Sequence, residues 1–434
     1  MTKKTLPTVT VTLDTIVGGG QTLGTLEDGR KLFTWGGLPR EKVHVQLTKK
    51  KSTFVEGIVT EVITKSNERI EPSDPESYLS TSPWQIMSFD AEQHYKAALI
   101  EEAFELHDIV LPDPIDVFTD GVTSHYRNKV EFSWYGDQSS GTENLHLAFF
   151  RRGSKGKIIV SDSSLLPAPM MRLALEIRDL LQSGGVTARE LKTLLIRCDS
   201  EKNCVWQLYV KDMPCHFLPL FEDAQLSAKG GEVIYSNPKS PASVITERLA
   251  SYGNIVLQDT ILDIPFRYAT EGFFQVNLPV YEQALRDMKQ WIPEDKPSVD
   301  LYSGVGSIGL TIGSSQVTLV EINEHAVREM KRNIAELKIE ATPVLAASEQ
   351  ALDYITQEAT IIVDPPRAGL HEDVVKRLLE MKPSRIVYLS CNPVTQARDV
   401  ARLAEAYGIR AHRGYNFFPR TPHIEHLVIL DLRQ

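Results

Sequence analysis

Residues 300–309 read Asp300-Leu301-Tyr302-Ser303-Gly304-Val305-Gly306-Ser307-Ile308-Gly309, an acid at the end of an extended stretch and then a glycine-rich turn. Glycines in such a turn let the backbone approach a ligand closely and lead into a helix. A G-x-G turn alone fits an ordinary strand-to-helix connection equally well. About 20 residues after Asp300, however, Thr318-Leu319-Val320 ends on Glu321, where a carboxylate can accept hydrogen bonds from both ribose hydroxyls of a nucleoside. That pairing suits a dinucleotide or S-adenosylmethionine.

Outward from this turn, strand and helix alternate. Ser298–Tyr302, Val317–Glu321, Thr360–Val363, Ile386–Leu389 and a last segment His426–Leu432 read as strands, and Ala326–Leu337 and Val374–Met381 as helices. The pattern predicts a doubly wound α/β sheet over residues 261–434. Asp364-Pro365-Pro366-Arg367 follows one apolar strand and Ser390-Cys391-Asn392-Pro393 another, so the Asp364 carboxylate and the Cys391 thiol belong at one sheet edge. A carboxylate with two prolines there shapes a methyl-donor crevice, for which a dehydrogenase has no need.

A thiol beside a methyl donor has a specific use. Uracil C5 is a poor nucleophile, but addition of a thiolate at C6 makes C5 reactive toward a sulfonium methyl group. A free thiol with a pKa of about 8.5 is mostly protonated near neutrality, so the site is expected to lower that value. After transfer, C5 still carries a proton that a base must remove. The segment Phe417-Phe418-Pro419-Arg420-Thr421-Pro422-His423-Ile424-Glu425-His426 offers Glu425 as candidate, with His423 and His426 as competitors.

The rest of the chain divides in two. Residues 1–66 carry short alternating strands (Thr8–Leu13, Lys42–Leu47, Phe54–Val59) broken by Gly18-Gly19-Gly20, Asp28-Gly29 and Gly36-Gly37, a small β-barrel. After a polar linker, residues 67–260 read as an α+β middle domain: an antiparallel sheet with helical cover, and an amphipathic helix 91–106 able to pack on the catalytic domain. The net charge of −10 speaks against a polyanionic partner, yet ten Lys and Arg against six Asp and Glu give residues 1–66 a charge of +4, leaving −14 on the rest. Four cysteines, none in a C-x-x-C pair, are too few for a disulfide scaffold and predict no metal site. No stretch approaches the roughly 20 apolar residues of a membrane span, and the opening residues lack a signal-peptide run, so a cytoplasmic protein without membrane contact is expected. No obligate protein partner is evident.

Together these motifs resemble the RNA uracil-5-methyltransferase family, over nearly the whole chain. The resemblance implies a Rossmann-like S-adenosylmethionine methyltransferase domain, preceded by a TRAM barrel of the oligonucleotide-binding type for residues 1–66, on Gly18–Gly24, Asp28-Gly29-Arg30 and Gly37-Leu38-Pro39. It implies cofactor contacts by Gln275 (in Phe273-Phe274-Gln275-Val276-Asn277), Tyr302, Glu321 and Asp364, with Cys391 as nucleophile and Glu425 as proton acceptor. The product is then 5-methyluridine in RNA, with 23S ribosomal RNA favoured by the barrel and the tRNA T loop as alternative. Two departures stand out. Where many members hold an iron–sulfur cluster on four cysteines, this chain reads Ser80-Thr81-Ser82-Pro83-Trp84-Gln85 and Ser161-Asp162-Ser163-Ser164-Leu165, so no cluster is expected. Arg40 stands where the barrel motif usually has glycine.

RNA contacts are expected from Lys49-Lys50-Lys51, Arg127, Lys129, Arg151, Arg152 and Lys155, and support of a base splayed from its stack from Phe273 or Phe274. A cytosine-5 enzyme would carry its cysteine directly after the D-x-P motif, where Arg367 lies. An adenine amino-methylating enzyme needs no nucleophile. A non-catalytic ribosome-assembly factor would not need Cys391, Glu425, Asp364 and Gln275.

Overall fold

The computed structural model describes residues 6–138 and 143–433; the opening residues 1–5, read above for targeting, lie outside them. Strands β1 (Thr8–Ile16), β2 (Thr22–Thr25), β3 (Lys31–Trp35), β4 (Lys42–Lys50) and β5 (Phe54–Thr64) close into a barrel in the order β1-β2-β3-β5-β4. Their alternation puts Val11, Leu13, Leu32, Val43, Val45, Leu47 and Val55 inside. Arg40 takes a φ of 68°, which explains the usual glycine: an L side chain there costs about 1–2 kcal/mol. The buried Glu41 carboxylate accepts from Arg69 Nε at 2.6 Å and Nη2 at 2.7 Å, fastening the barrel to the linker.

After a single turn α1 (Tyr78–Thr81) comes α2 (Phe89–Glu105), whose first turn is capped by Ser88 Oγ. The stretches Ser80–Gln85 and Ser161–Leu165 are tied by side chains: Ser164 Oγ donates to Asp74 Oδ2 at 2.7 Å, and Gln85 Nε2 donates to Asp74 Oδ2 at 2.8 Å and to Ser82 Oγ at 2.7 Å.

The two-residue strand β6 (Val117–Phe118) leads to the middle sheet, built from β7 (Lys129–Asp137), β8 (Asn144–Phe150), β9 (Lys157–Ile159), β10 (Leu191–Cys198), β11 (Cys204–Val210), β12 (Gly230–Tyr235) and β13 (Glu247–Gly253) in the order β13-β12-β11-β10-β7-β8-β9. Helix α3 (Ala168–Ser183) covers one face through Met170, Leu173, Ile177 and Leu181. The sheet is not wholly antiparallel as expected: β11 and β12 run parallel, because the chain crosses back over residues 211–229 before re-entering.

The hairpin β14 (Leu257–Ile261) and β15 (Ile264–Tyr268) packs into the core of the C-terminal domain, so the boundary drawn at 260/261 falls inside a strand. That domain contains α4 (Leu278–Lys289), β16 (Ser298–Leu301), α5 (Gly309–Ile312), β17 (Val317–Glu321), α6 (Glu324–Leu337), β18 (Ala341–Leu345), β19 (Thr360–Val363), α7 (Glu372–Met381), β20 (Arg385–Ser390), α8 (Pro393–Leu403), β21 (Tyr407–Tyr415) and β22 (Glu425–Leu432). The sheet order is β18-β17-β16-β19-β20-β22-β21-β6, with β22 antiparallel to both neighbours. Successive residues serve opposite cores: Ile362 and Val387 on one face, Ile361, Val363, Ile386 and Tyr388 on the other. This is the Rossmann-like α/β domain the motifs announced.

Helix α2 and β6 precede the middle sheet in sequence but belong physically to this domain. Ile100, Ala103 and Phe104 of α2 share a core with Val400 and Leu403 of α8, and β6 pairs with β21. No helix among the described residues is long and apolar enough to cross a membrane.

Candidate functional site

From β16 the strands step outward to β17 and β18 on one side and return to β19 and β20 on the other. The reversal between β16 and β19 leaves a crevice beyond their carboxyl ends, where ligands bind in such sheets. A cavity of about 1140 Å³ opens there, and Gln275, Tyr302, Glu321, Asp364, Cys391 and Glu425 all line it. Six residues separated by as many as 150 positions in sequence therefore share one cleft.

The glycine turn earns its composition at particular positions. Gly309 N–H donates to Asp300 Oδ2 at 2.9 Å, and a Cβ on Gly309 would stand 2.2 Å from Leu319 Cδ2. Asp300 is thus a buried brace for the turn and does not line the cleft; burial pushes its carboxyl up to about 8. Tyr302 and Gly304 both have positive φ, 65° and 58°, which turns the backbone toward the cavity, and nothing lies within 4 Å of where a Gly304 Cβ would be. Glu321 is fixed from two sides: Gly304 N–H donates to Oε2 at 2.9 Å and Asn323 N–H to Oε1 at 2.7 Å. Each oxygen keeps a further lone pair for a ligand hydroxyl.

These features suit S-adenosylmethionine. Bare backbone at Gly304 admits close approach, the carboxylate of Glu321 suits ribose hydroxyls, and the exposed apolar side chains Ile322 and Phe273 flank the cavity. Gln275 sits on a loop held from beneath by Arg197 of β10. This fully buried guanidinium donates to the carbonyls of Gly272 (2.6 Å) and Phe274 (2.8 Å) and lies over the Tyr268 ring at 4.6 Å. Phe274 is itself buried against Tyr268, with rings 4.0 Å apart, whereas Phe273 is 73% exposed. Of the two phenylalanines considered for a splayed base, only Phe273 faces the cleft.

Cys391 and Glu425 meet through strand pairing. Ser390 pairs with His426 across antiparallel β20 and β22, so Cys391, one residue beyond, stands opposite Glu425, one residue before. Glu425 thus opens the last strand, which the sequence analysis began one residue later. Beside them the Arg367 carbonyl accepts from Asn392 Nδ2 at 2.9 Å and Thr395 Oγ1 at 3.2 Å, which secures the Asp364–Arg367 turn to the start of α8.

The electrostatics correct one expectation. The thiol of Cys391 is not lowered: burial, then the carboxylates of Glu425 and Asp364, push it up to about 12, and Arg367 opposes them. Burial likewise pushes Asp364 up to about 7 and Glu425 well above the ordinary carboxylate range. His426 is buried, with Nδ1 2.7 Å from Gln396 Oε1, and does not line the cleft. His423 does line it, but burial and Arg367 push its imidazole down to about 4.

The expected RNA contacts scatter. Arg127 and Lys129 line a separate cavity beside β7. Arg151 is exposed. Arg152 is committed elsewhere, with its guanidinium 4.2 Å from the Trp35 ring centroid of the barrel and its Nε bonded to the Leu79 carbonyl. Cys198 and Cys204 face each other, buried, on β10 and β11. The sequence analysis missed Arg197, although a lone arginine in the apolar run Leu194-Leu195-Ile196-Arg197-Cys198 was a visible anomaly. It also missed Arg248 and Glu271, paired at 2.6 Å on the cleft wall.

Residues 351–433, which carry Asp364, Cys391 and Glu425, match the tRNA (Uracil-5-)-methyltransferase family. An uncharacterized RNA methyltransferase of Nitratidesulfovibrio vulgaris is 26% identical, covering 98% of this chain and 96% of that protein. These matches support an RNA uracil-5-methyltransferase family member. A further relative of this methyltransferase, an uncharacterized RNA methyltransferase of Enterococcus faecalis, is 28% identical over 93% of both proteins. In fold, the enzyme is similar to Pyrococcus abyssi tRNA (uracil-54, C5)-methyltransferase, solved with S-adenosyl-L-homocysteine. The TM-score is 0.78 at 20% identity, covering 97% of this chain and 100% of that one. Among the described residues of the methyltransferase, no group of three or more His, Cys, Asp or Glu could hold a metal ion.

Proposed function

We propose that this methyltransferase forms 5-methyluridine in RNA through a covalent adduct between Cys391 and uracil C6. The observation that carries the proposal is the register of β20 and β22, which brings a thiol and a carboxylate together in the crevice that Gln275, Tyr302, Glu321 and Asp364 also line. When bound, S-adenosylmethionine supplies an electrophilic methyl group. Cys391 gives up its thiol proton to solvent and adds as the thiolate through Sγ to C6, and the electron pair shifts to make C5 the nucleophile that takes the methyl group. Glu425 then accepts the C5 proton, the C5–C6 double bond re-forms, and Sγ leaves. A carboxylate with raised proton affinity is a stronger base than an exposed one, and His423, pushed down to about 4, is a weaker competitor. The high thiol pKa assigns Arg367 a part: it is the cation of this chain that opposes the carboxylates around Cys391.

The substrate we propose is 23S ribosomal RNA in the cytoplasm, with residues 1–66 acting as an RNA-binding barrel of the TRAM type and the middle sheet sharing in RNA contact. A T-loop uridine of tRNA is the second reading, favoured by the match to the Pyrococcus abyssi tRNA enzyme across both whole chains, barrel included. Nucleoside mass spectrometry of undermodified ribosomal RNA and tRNA, each incubated with S-adenosylmethionine and wild type or Cys391→Ala, tests both. Gain of 5-methyluridine in one RNA with wild type alone supports the mechanism and names the substrate. Equal gain with Cys391→Ala overturns the covalent route.

A further inference from the structure

Strand β7 opens on a wall between two cavities. On one side, Asn128 Nδ2 donates to the Gln275 carbonyl at 3.1 Å and Tyr126 OH donates to the Pro419 carbonyl at 3.0 Å, so this segment is part of the frame of the main cleft. On the other, Arg127 and Lys129 line a second cavity of about 370 Å³, which falls within the roughly 300–1,000 Å³ range of ligand pockets. Its remaining lining includes the aromatic ring of Phe149, the apolar Leu165, the hydroxyls of Thr81 and Ser163 and one carboxylate, Glu131.

The charges in this second cavity are under-compensated. Among the described residues Arg127 makes no ion pair; its Nε donates only to the Lys129 carbonyl. Lys129 reaches one carboxylate, Glu131, at 3.9 Å. Two cations set against the single carboxylate of Glu131 in a partly buried pocket leave a net positive charge that favours an anionic ligand, and an aromatic ring with an apolar floor favours a base. Arg127 also acts on His423 across the wall, so the two cavities are near enough for one charge to reach both.

We propose that this cavity is a second nucleotide subsite, which takes a base adjoining the target uridine while Arg127 and Lys129 hold the intervening phosphate. The inference rests on the proposed RNA substrate and deepens it: an RNA strand is unstacked at two neighbouring positions, one base entering each cavity. Phe149, already stacked on Phe132 with ring centroids 5.3 Å apart, extends that stack to the incoming base.

The test uses the full chain and an eight-residue oligouridylate bearing 5-iodouridine, with photo-cross-links mapped by peptide mass spectrometry and affinity read by fluorescence anisotropy. Wild type is expected to cross-link within β8 at Phe149 as well as in the cleft. Thr81→Phe, which fills the cavity, removes the β8 cross-link and weakens the octamer roughly tenfold, the order of one stacked base. Uridine 5′-monophosphate, which needs only the cleft, binds as before, as does S-adenosylhomocysteine. Arg127→Gln with Lys129→Met keeps both aliphatic stems and lowers the salt slope of binding by about 1. This pair also preserves the test if Thr81→Phe fails to fold. Wild-type affinity in both variants, or cross-links confined to the cleft, overturns the subsite. Methylation assayed in parallel separates the two claims: product without a β8 cross-link sinks only the subsite, and a β8 cross-link without product sinks only the reaction.

Discussion

Ser390 and His426 form the last backbone pair of β20 and β22, and the residues one step beyond, Cys391 and Glu425, face each other across the open end of that pairing. A slip of one residue would turn the next side chains to the opposite face. His426 marks the lock: it is buried, and Gln396 Nε2 donates to its carbonyl at 2.8 Å while Gln396 Oε1 meets its ring.

Glu425→Gln keeps the shape and hydrogen bonding of the site but cannot take a proton from C5. The variant is expected to accumulate the methylated adduct, seen as an RNA-linked band on a denaturing gel, while turnover falls by roughly 10²–10⁴. Adding Cys391→Ala should remove the band. A band that survives the second substitution would place the covalent bond on another residue.

Stability should respond to pH in the sense opposite to a surface salt bridge. Asp300 has an ordinary carboxyl pKa of 3.8 when unfolded and about 8 when folded. The folded state therefore binds more protons between these values, and the contribution, fully present below pH 3.8, is lost as pH rises through 8. Asp364, raised to about 7, adds to the same trend. Thermal unfolding of the ligand-free protein should show Tm falling from pH 5 to pH 8, and Asp300→Asn, which still accepts from Gly309, should flatten the slope. An unchanged slope in the variant would assign the dependence to other groups.

Arg197→Ala leaves the carbonyls of Gly272 and Phe274 without their donor. Losing both is expected to cost at least about 2 kcal/mol of stability and to weaken S-adenosylhomocysteine binding through the loop that bears Gln275. Arg197→Lys restores charge but not the planar fork, and should recover stability more than affinity. Calorimetric titration beside a denaturant melt distinguishes the two; parallel recovery would mean the arginine is structural only.

Gly309→Ala tests the glycine turn. The added methyl meets Leu319 and the Asp300 carboxylate, both in the packed core, so a loss of about 1–3 kcal/mol is expected in a chemical melt. Gly304→Ala meets no atom within 4 Å but carries the penalty of its positive φ, about 1 kcal/mol, and its effect should fall more on cofactor affinity.

The sheet that holds the cleft was legible in sequence because parallel strands buried on both faces read as short apolar runs, as in Ile386-Val387-Tyr388-Leu389, and the turns after them carried the acids and the thiol. What sequence did not reveal depends on partners distant along the chain. Two residues, Val117 and Phe118, make no local pattern, yet they complete the sheet against Gly414 and Tyr415. The parallel pairing of β11 and β12 follows from a crossing, not from either strand. The thiol of Cys391 moved the opposite way from expectation because the assembled edge buries it, and then because its neighbours Glu425 and Asp364 arrive from two other strands and add their charge.

Helix α2 has a consequence for how the chain is made. Its buried Lys96 contacts Asn416 and the Phe418 carbonyl, and its buried Glu92 accepts from the backbone of Arg420, so residues translated early hold the loop that leads into Glu425. The middle sheet is in effect an insertion between the first and last pieces of the catalytic domain. During synthesis Ala91, Tyr95 and Leu99 can pack at once on Ile16, Leu38 and Trp84, but Ile100, Ala103 and Phe104 stay uncovered until the strands and helices of the C-terminal domain have left the ribosome, and a fragment starting at residue 261 would emerge with the floor of its nucleophile loop missing. Completion of the active site thereby waits for residues 416–425 to meet a helix made about 300 residues earlier.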